Sequence, residues 1–189
     1  MSDPGKVFVV TGPSGVGKGT LIAGLLTEVP GVEVSVSATT RQPREGEVDD
    51  RDYHFLGGED FDRRVEAGEF LEHATYSGNR YGTLRSEVED RLAKGISVIL
   101  EIELQGAREI RRRLPDAVEV FIAPPDSEAL RERLVGRGTD DPEAIERRLE
   151  TAEVELAAKD EFPNVIVNDE VEAAQRQLIA LVQRELSLD

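Results

Sequence analysis

Residues 12–20 read Gly12-Pro13-Ser14-Gly15-Val16-Gly17-Lys18-Gly19-Thr20, directly after an apolar run, Val7–Thr11, and directly before a stretch, residues 18–29, whose apolar side chains recur three and four apart. The run reads as a buried strand and the stretch as an amphipathic helix, so the glycines fall where a strand hands over to a helix. Glycine lets the backbone curl until successive N–H groups point into one concavity. The helix N-terminus adds partial positive charge there, and Lys18 adds a full one. A glycine-rich turn could merely end a strand; Gly12, Gly17 and Lys18 in register between strand and helix make it a cradle for the phosphates of a nucleoside triphosphate.

The rest of the chain repeats this alternation. Strand-type runs rich in Val and Ile recur at 34–37, 97–102, 118–122 and 165–167, and helical spacing at 85–94, 104–114, 127–135, 142–159 and 170–186. Strand followed by helix predicts an α/β fold, a parallel sheet covered by helices. Two regions break the pattern. Across 39–82, short strand-like pieces (53–56 and Phe70–Tyr76) flank one helical stretch, 59–67, which predicts an inserted α+β subdomain. Across 127–160, Gly136-Arg137-Gly138 separates two charged helices, and Asp141-Pro142 supplies a cap and a first-turn proline for the second. At 189 residues the expectation is a single domain: a core of 1–38, 83–126 and 161–189, an insertion at 39–82 and a mobile cover at 127–160.

Composition removes several function classes. A formal charge of −16 disfavours non-specific binding to nucleic acid or an anionic membrane. Without cysteine, and with His54 and His73 as the only histidines, thiolate and multi-histidine metal sites are not expected. The amino terminus shows no basic segment leading into a long apolar one, so a soluble cytoplasmic protein is expected. Oligomeric state is left open. The run 97–103 ends in Glu101 and Glu103, two apart and therefore expected on one face at the C-terminal edge of a strand, where open sheets bind ligands.

Taken in order, several segments carry a further signal. They are the loop 12–20; Ser35-Val36-Ser37-Ala38-Thr39-Thr40-Arg41-Gln42-Pro43-Arg44-Glu45-Gly46-Glu47; Asp52-Tyr53-His54-Phe55; Glu69-Phe70-Leu71-Glu72; Tyr76-Ser77-Gly78-Asn79-Arg80-Tyr81-Gly82-Thr83; Gln105-Gly106-Ala107; Ile122-Ala123-Pro124-Pro125; Arg133-Leu134-Val135-Gly136-Arg137-Gly138-Thr139; and Val165-Ile166-Val167-Asn168-Asp169. Together they resemble the guanylate kinase family over nearly the whole chain. The resemblance implies a P-loop NTPase-type sheet with a GMP-binding insertion and a helical lid. It implies ATP-dependent phosphorylation of GMP to GDP, with Mg²⁺ accompanying ATP, in purine nucleotide metabolism and GMP recycling; dGMP tolerance stays open. By the same resemblance, residues 12–20, Arg133, Arg137 and Asn168 bind ATP, while Lys18, Arg41, Arg137 and Arg148 serve the transfer. Ser37, Arg41, Arg44, Tyr53 and Tyr81 hold the GMP phosphate, Glu72 and Thr83 read guanine, and Glu101 and Glu103 line the same site. One position departs from the usual loop: Gly19 stands where Ser or Thr normally follows the lysine to touch Mg²⁺. Thr20, phosphate oxygens and water are left to that task.

The chemistry of the residues agrees. Guanine presents N1–H and N2–H₂ donors that one carboxylate accepts together, whereas adenine turns a lone pair toward it, so Glu72 would favour GMP over AMP. The attacking phosphate oxygen is already ionised, so no general base is required, and catalysis rests on alignment and charge neutralisation. Two other readings remain: a non-catalytic guanylate-kinase-like scaffold module binding phosphorylated peptides, and a nucleoside monophosphate kinase with another acceptor. Lys18 speaks against the first, Glu72 and Thr83 against the second.

Overall fold

The computed structural model describes residues 5–76, 78–136 and 142–187. In chain order the elements are β1 (Val7–Thr11), α1 (Lys18–Glu28), β2 (Val32–Val34), β3 (Ser37–Thr39), β4 (His54–Phe55), α2 (Gly58–Glu66), β5 (Phe70–Tyr76), β6 (Asn79–Leu84), α3 (Arg85–Leu92), β7 (Ser97–Glu101), α4 (Leu104–Arg113), β8 (Val118–Ala123), α5 (Ser127–Gly136), α6 (Pro142–Ala157), β9 (Asn164–Val167) and α7 (Val171–Leu186). Five strands form one sheet in the order β2-β7-β1-β8-β9, and four form a second in the order β4-β3-β6-β5. Pairings β2–β7 and β8–β9 are parallel, as the strand–helix alternation requires. By their internal contacts the described residues fall into two compact units, 5–9 with Gly31–Val118, and Val10–Pro30 with 119–187.

In the unit that contains α1, apolar side chains on one face of the helix (Leu21, Ile22, Leu25) and on one face of α7 (Ala174, Leu178, Val182) are buried, and the two helices pack together. Gly24 makes this approach close: a Cβ there would fall 1.0 Å from Gln175 Nε2. β8 is buried almost throughout and Phe121 packs its ring against Phe162 at 5.2 Å. Leu130 and Leu134 of α5 are buried as well.

In the other unit, the second sheet has a dry face and a polar one. Ala38, Phe61, Phe70 and Leu84 form a buried cluster joined by Leu56 and Val65, so α2 covers one side, with Phe61 stacked on Phe70 at 4.5 Å. Alternation along the strands sends Ser37, Thr39, Tyr81, Thr83 and Glu72 to the opposite side. Phe61→Ala removes one of the two phenylalanines of this small cluster and is expected to lower stability by about 3–5 kcal/mol in urea unfolding. A loss below about 1 kcal/mol would mean that α2 does not anchor the sheet.

Several element boundaries differ from the sequence expectation. The run 34–37 is not one strand: β2 ends at Val34 in the first sheet and β3 begins at Ser37 in the second. Between them Ser35 N–H still bonds to Ile99 O at 3.0 Å, whereas Val36 N–H turns to the Glu87 carboxylate at 3.3 Å. The piece expected at 53–56 keeps only His54–Phe55, and β6 pairs with β5 as a hairpin across Gly78, whose φ of 78° suits a tight turn. The last helical turn expected in 142–159 gives way to a 3₁₀ turn at Lys159–Glu161. α6 begins at Pro142 as predicted; its expected cap, Asp141, lies outside the described residues, as do Arg137, Gly138 and Thr139. Among the described residues no helix is long and apolar enough to cross a membrane.

Candidate active site

The glycine loop joins β1 to α1 as read from the sequence. Gly12, Gly15 and Gly17 have φ of 136°, 85° and 98°, values that a Cβ would disfavour. At Gly12 a Cβ would also meet Ile122 O at 2.2 Å, so the loop lies against the end of β8. α1 starts without a side-chain cap and without an acid in its first turn, although the chain as a whole is strongly acidic. Its first N–H groups and positive dipole end are therefore left for an anion. Pro13 and Val16 are buried, Ser14 is half-buried, and Gly19 and Thr20 are exposed in the first turn. Lys18 folds back, its Nζ donating to Gly12 O at 2.6 Å and Pro13 O at 3.2 Å.

Two further residues from the sequence reading meet this loop. Asn168, 2% exposed at the end of β9, donates its Nδ2 to Val16 O at 2.8 Å, and its backbone N–H to Ala123 O at 2.8 Å. Arg133 on α5 donates to Asn168 O at 2.8 Å and to Val16 O at 3.4 Å. Both side chains thus brace the loop backbone from behind, a role that the sequence reading did not foresee. Arg148 is half-buried on α6, where α5 and α6 pack together and Arg131 pairs with Glu146 at 2.6 Å.

In the other unit the polar face of the second sheet collects the residues expected around a monophosphate. Register places Ser37, Thr83 and Glu72 side by side on β3, β6 and β5, with Thr39, Tyr81 and Ala74 in the next row. Arg41 lies over the rings of Tyr53 and Phe55 at 5.3 and 5.8 Å, and Tyr53 meets Tyr81 edge-on at 6.2 Å. Glu47 accepts from the Arg41 guanidinium at 2.8 Å and from the Arg44 backbone N–H at 2.7 Å, so a carboxylate bridges the two arginine positions. That hydrogen bond, opposed by burial, raises the Arg41 pKa further and lowers that of Glu47. Burial first, and then the neighbouring Tyr81, raises the Tyr53 phenol, so Tyr53 remains a donor at neutral pH. The Arg44 side chain is exposed.

Deeper in, Glu72 is 3% exposed and accepts from Thr83 Oγ1 at 2.7 Å, with Thr83 fully buried. Burial pushes the Glu72 carboxyl up to about 7, against the Thr83 hydrogen bond, and the charges of Glu109 and Glu103 add to the rise. The two acids at the end of β7 do not form the matched pair expected. The strand stops at Glu101, which is exposed, while Glu103 stands at the N-cap of α4, half-buried, with Oε2 lacking a hydrogen-bond partner. Helix initiation at Leu104 takes Glu103 out of the strand. The Gln105-Gly106-Ala107 segment opens α4, and there sequence reasoning missed a contact: a Cβ on Gly106 would fall 2.4 Å from Glu72 Oε2. A glycine in the first turn of an otherwise good helix is the signal that could have found it.

A buried carboxylate with a hydroxyl partner, beside an arginine and two tyrosines, suits a base with adjacent donors that carries a phosphate; an uncapped helix behind a glycine loop suits a polyphosphate. The guanylate kinase family model matches residues 4–185. The chain is 54% identical over 180 residues to a guanylate kinase of Rubrobacter xylanophilus (95% of this chain, 94% of the relative). It is 53% identical over 179 residues to one of Frankia casuarinae (95% and 97%). Its fold superposes on the crystal structure of guanylate kinase from Anaplasma phagocytophilum with a TM-score of 0.81 at 33% identity, covering 98% of this chain and 88% of the other. With the glycine loop, the buried carboxylate and the arginine–tyrosine cluster all falling inside that matched span, the chain belongs to the guanylate kinase family.

Proposed function

We propose that the chain transfers the γ-phosphoryl group of ATP, entering as its Mg²⁺ complex, to GMP, giving ADP and GDP. The observation that carries this reading is Glu72, a buried carboxylate held by Thr83 next to the Arg41–Tyr53–Tyr81 cluster. In it one Glu72 oxygen accepts from guanine N1–H and the other from N2–H₂, while Ser37, Arg41, Arg44, Tyr53 and Tyr81 hold the phosphate. Glu103, with a buried unpartnered oxygen, and Glu101 line the same site. The phosphate must displace Glu47 from Arg41, which makes that carboxylate a placeholder for the substrate anion.

The donor triphosphate lies along the N–H groups of residues 12–20, with Asn168 and Arg133 keeping the loop in shape. Lys18 leaves the Gly12 and Pro13 carbonyls for the transferring phosphate, where its charge offsets that accumulating in the transition state. The cation travels on the triphosphate. Among the described residues no group of three acids or histidines is placed for a metal, and the exposed Thr20 hydroxyl is the loop's own oxygen for it. Residues 39–82 serve as the acceptor subdomain and 127–160 as a lid whose Arg137 and Arg148 neutralise phosphate charge and whose closure excludes water.

Titration calorimetry with GMP, dGMP, AMP, UMP and dTMP, followed by a coupled assay of ADP release, tests the assignment. GMP binding with negligible AMP binding supports it; equal use of AMP overturns it. Since guanine donors favour the ionised carboxyl, GMP affinity should fall as pH drops below about 7, by up to about tenfold per unit, with a proton released on binding. Glu72→Gln should retain only the part of this dependence due to the phosphate of GMP.

A further inference from the structure

β5 is the edge strand of the second sheet, so one line of its backbone groups has no strand partner. α4 packs along that edge and supplies partners from its own side chains. Glu109 Oε2 accepts from His73 N–H at 3.2 Å, and Arg113 donates to Phe70 O at 2.8 Å. The same two residues pair with each other at 2.6 Å, one helical turn apart. The backbone on either side of Glu72 is therefore pinned by a single ion pair. The pinned segment is where the register of β5 against β6 shifts, between Phe70 and Glu72, so that the local aim of Glu72 depends on what holds this irregularity.

Gly106 completes the arrangement. It is buried, and its Cα comes so near Glu72 that a Cβ would lie 2.4 Å from Oε2 and 3.0 Å from the carboxyl carbon. Glycine is a poor helix former, so this position favours closeness over helix stability. On the other side Thr83 Oγ1 holds Oε1 at 2.7 Å. Each carboxylate oxygen thus has its own restraint. Reading two adjacent donors on one base requires both oxygens to lie in the plane of that base, and a small rotation sacrifices one of the two bonds.

We propose that Gly106, Glu109 and Arg113 of α4 are positioning residues that fix both oxygens of Glu72 and thereby set discrimination between GMP and inosine monophosphate, which lacks the 2-amino group. The inference rests on the reading of Glu72 as the group that binds the guanine edge. A misaimed carboxylate keeps one bond, to N1–H, which both nucleotides offer, and loses the bond to N2–H₂, which only GMP offers. GMP is then penalised and inosine monophosphate hardly at all.

The experiment compares kcat/KM for GMP and inosine monophosphate in the full chain and in Gly106→Ala, Arg113→Met and Glu72→Gln. Gly106→Ala and Arg113→Met should each raise KM for GMP about tenfold or more, with kcat within about threefold, KM for ATP unchanged and inosine monophosphate kinetics little altered. Arg113→Met carries the test should Gly106→Ala fail to fold, and it has a second readout. Glu109 and Glu103 are the charged groups acting on Glu72, and stripping Glu109 of its counter-ion should move the pH midpoint of GMP binding upward. A GMP preference that survives within about twofold in both α4 variants but collapses in Glu72→Gln would overturn the positioning role alone. Survival in Glu72→Gln as well would overturn the guanine reading beneath it.

Discussion

Replacing Lys18 with alanine is expected to lower kcat roughly 10³-fold, the effect of removing one preorganised positive group from a phosphoryl-transfer transition state. The change lies in a half-buried side chain whose visible partners are two loop carbonyls, Gly12 O and Pro13 O, so the fold should lose no more than about 1 kcal/mol. KM for GMP should stay within about twofold, because every residue assigned to the acceptor lies in the other compact unit. Steady-state kinetics with a coupled assay, beside GMP calorimetry on the same variant, separates the two. Turnover equal to that of the parent chain would remove the glycine loop from the mechanism.

Glu72→Gln should move stability and function in opposite directions. The buried carboxyl of the nucleotide-free protein titrates near 7, against an ordinary value of 4.5. Below 4.5 the folded and unfolded chains are both protonated there and the residue has no pH-linked effect. Between the two values the unfolded chain loses its proton while the folded chain keeps it, so stability falls as pH rises. Above 7 the folded chain carries a buried charge that costs about 3 kcal/mol. The glutamine variant escapes this penalty. Its gain in urea unfolding should reach about 3 kcal/mol at pH 8 and shrink to under 1 kcal/mol at pH 5. An equal gain at both pH values would show that burial does not oppose the ionisation of Glu72. The same variant should lose about 1.5–3 kcal/mol of GMP binding and much of its discrimination against AMP, which identifies the strain of the buried carboxylate as the cost of reading guanine.

What was legible in the residues follows the range over which each decision is made. β1, the glycine loop and α1 were readable because strand, turn and helix are set by consecutive residues: the apolar run of Val7–Thr11, glycines at positive φ, and apolar spacing through Leu21, Ile22 and Leu25. Phe70–Tyr76 was readable for the same reason. Residues 34–37 were not, because their composition favours a strand throughout while their partners differ: Val34 pairs with Ile99 in one sheet and Ser37 with Thr83 in the other. Glu101 and Glu103 looked equivalent by spacing and became unlike because β7 ends at Glu101 while Glu103 stands at the N-cap of α4, which starts at Leu104.

The site divides along the same line. That Glu72 and Thr83 act together came only through a family resemblance, and the register of β5 on β6 supplies the contact itself. Asn168 reaches Val16 across 152 positions of chain and Arg133 reaches it across 117, distances over which no local pattern carries information. Gly106 against Glu72 is a third case, visible beforehand only as a glycine where a helix would prefer alanine.

By itself, then, the sequence determined the chemistry on offer: a glycine-rich turn with a lysine between strand and helix, a carboxylate and arginines in a chain of −16 charge, and the alternation that makes an α/β sheet. Periodicity, backbone freedom and side-chain type are local properties, and local properties are written in order along the chain. Tertiary structure alone decided that the Glu72 carboxyl is buried and raised toward 7, that its oxygens are fenced by Thr83 and Gly106, and that the loop is braced from behind by Asn168 and Arg133. Burial and close contact arise only when segments distant in sequence exclude water from one another, and desolvation is what raises the pKa of an otherwise ordinary glutamate.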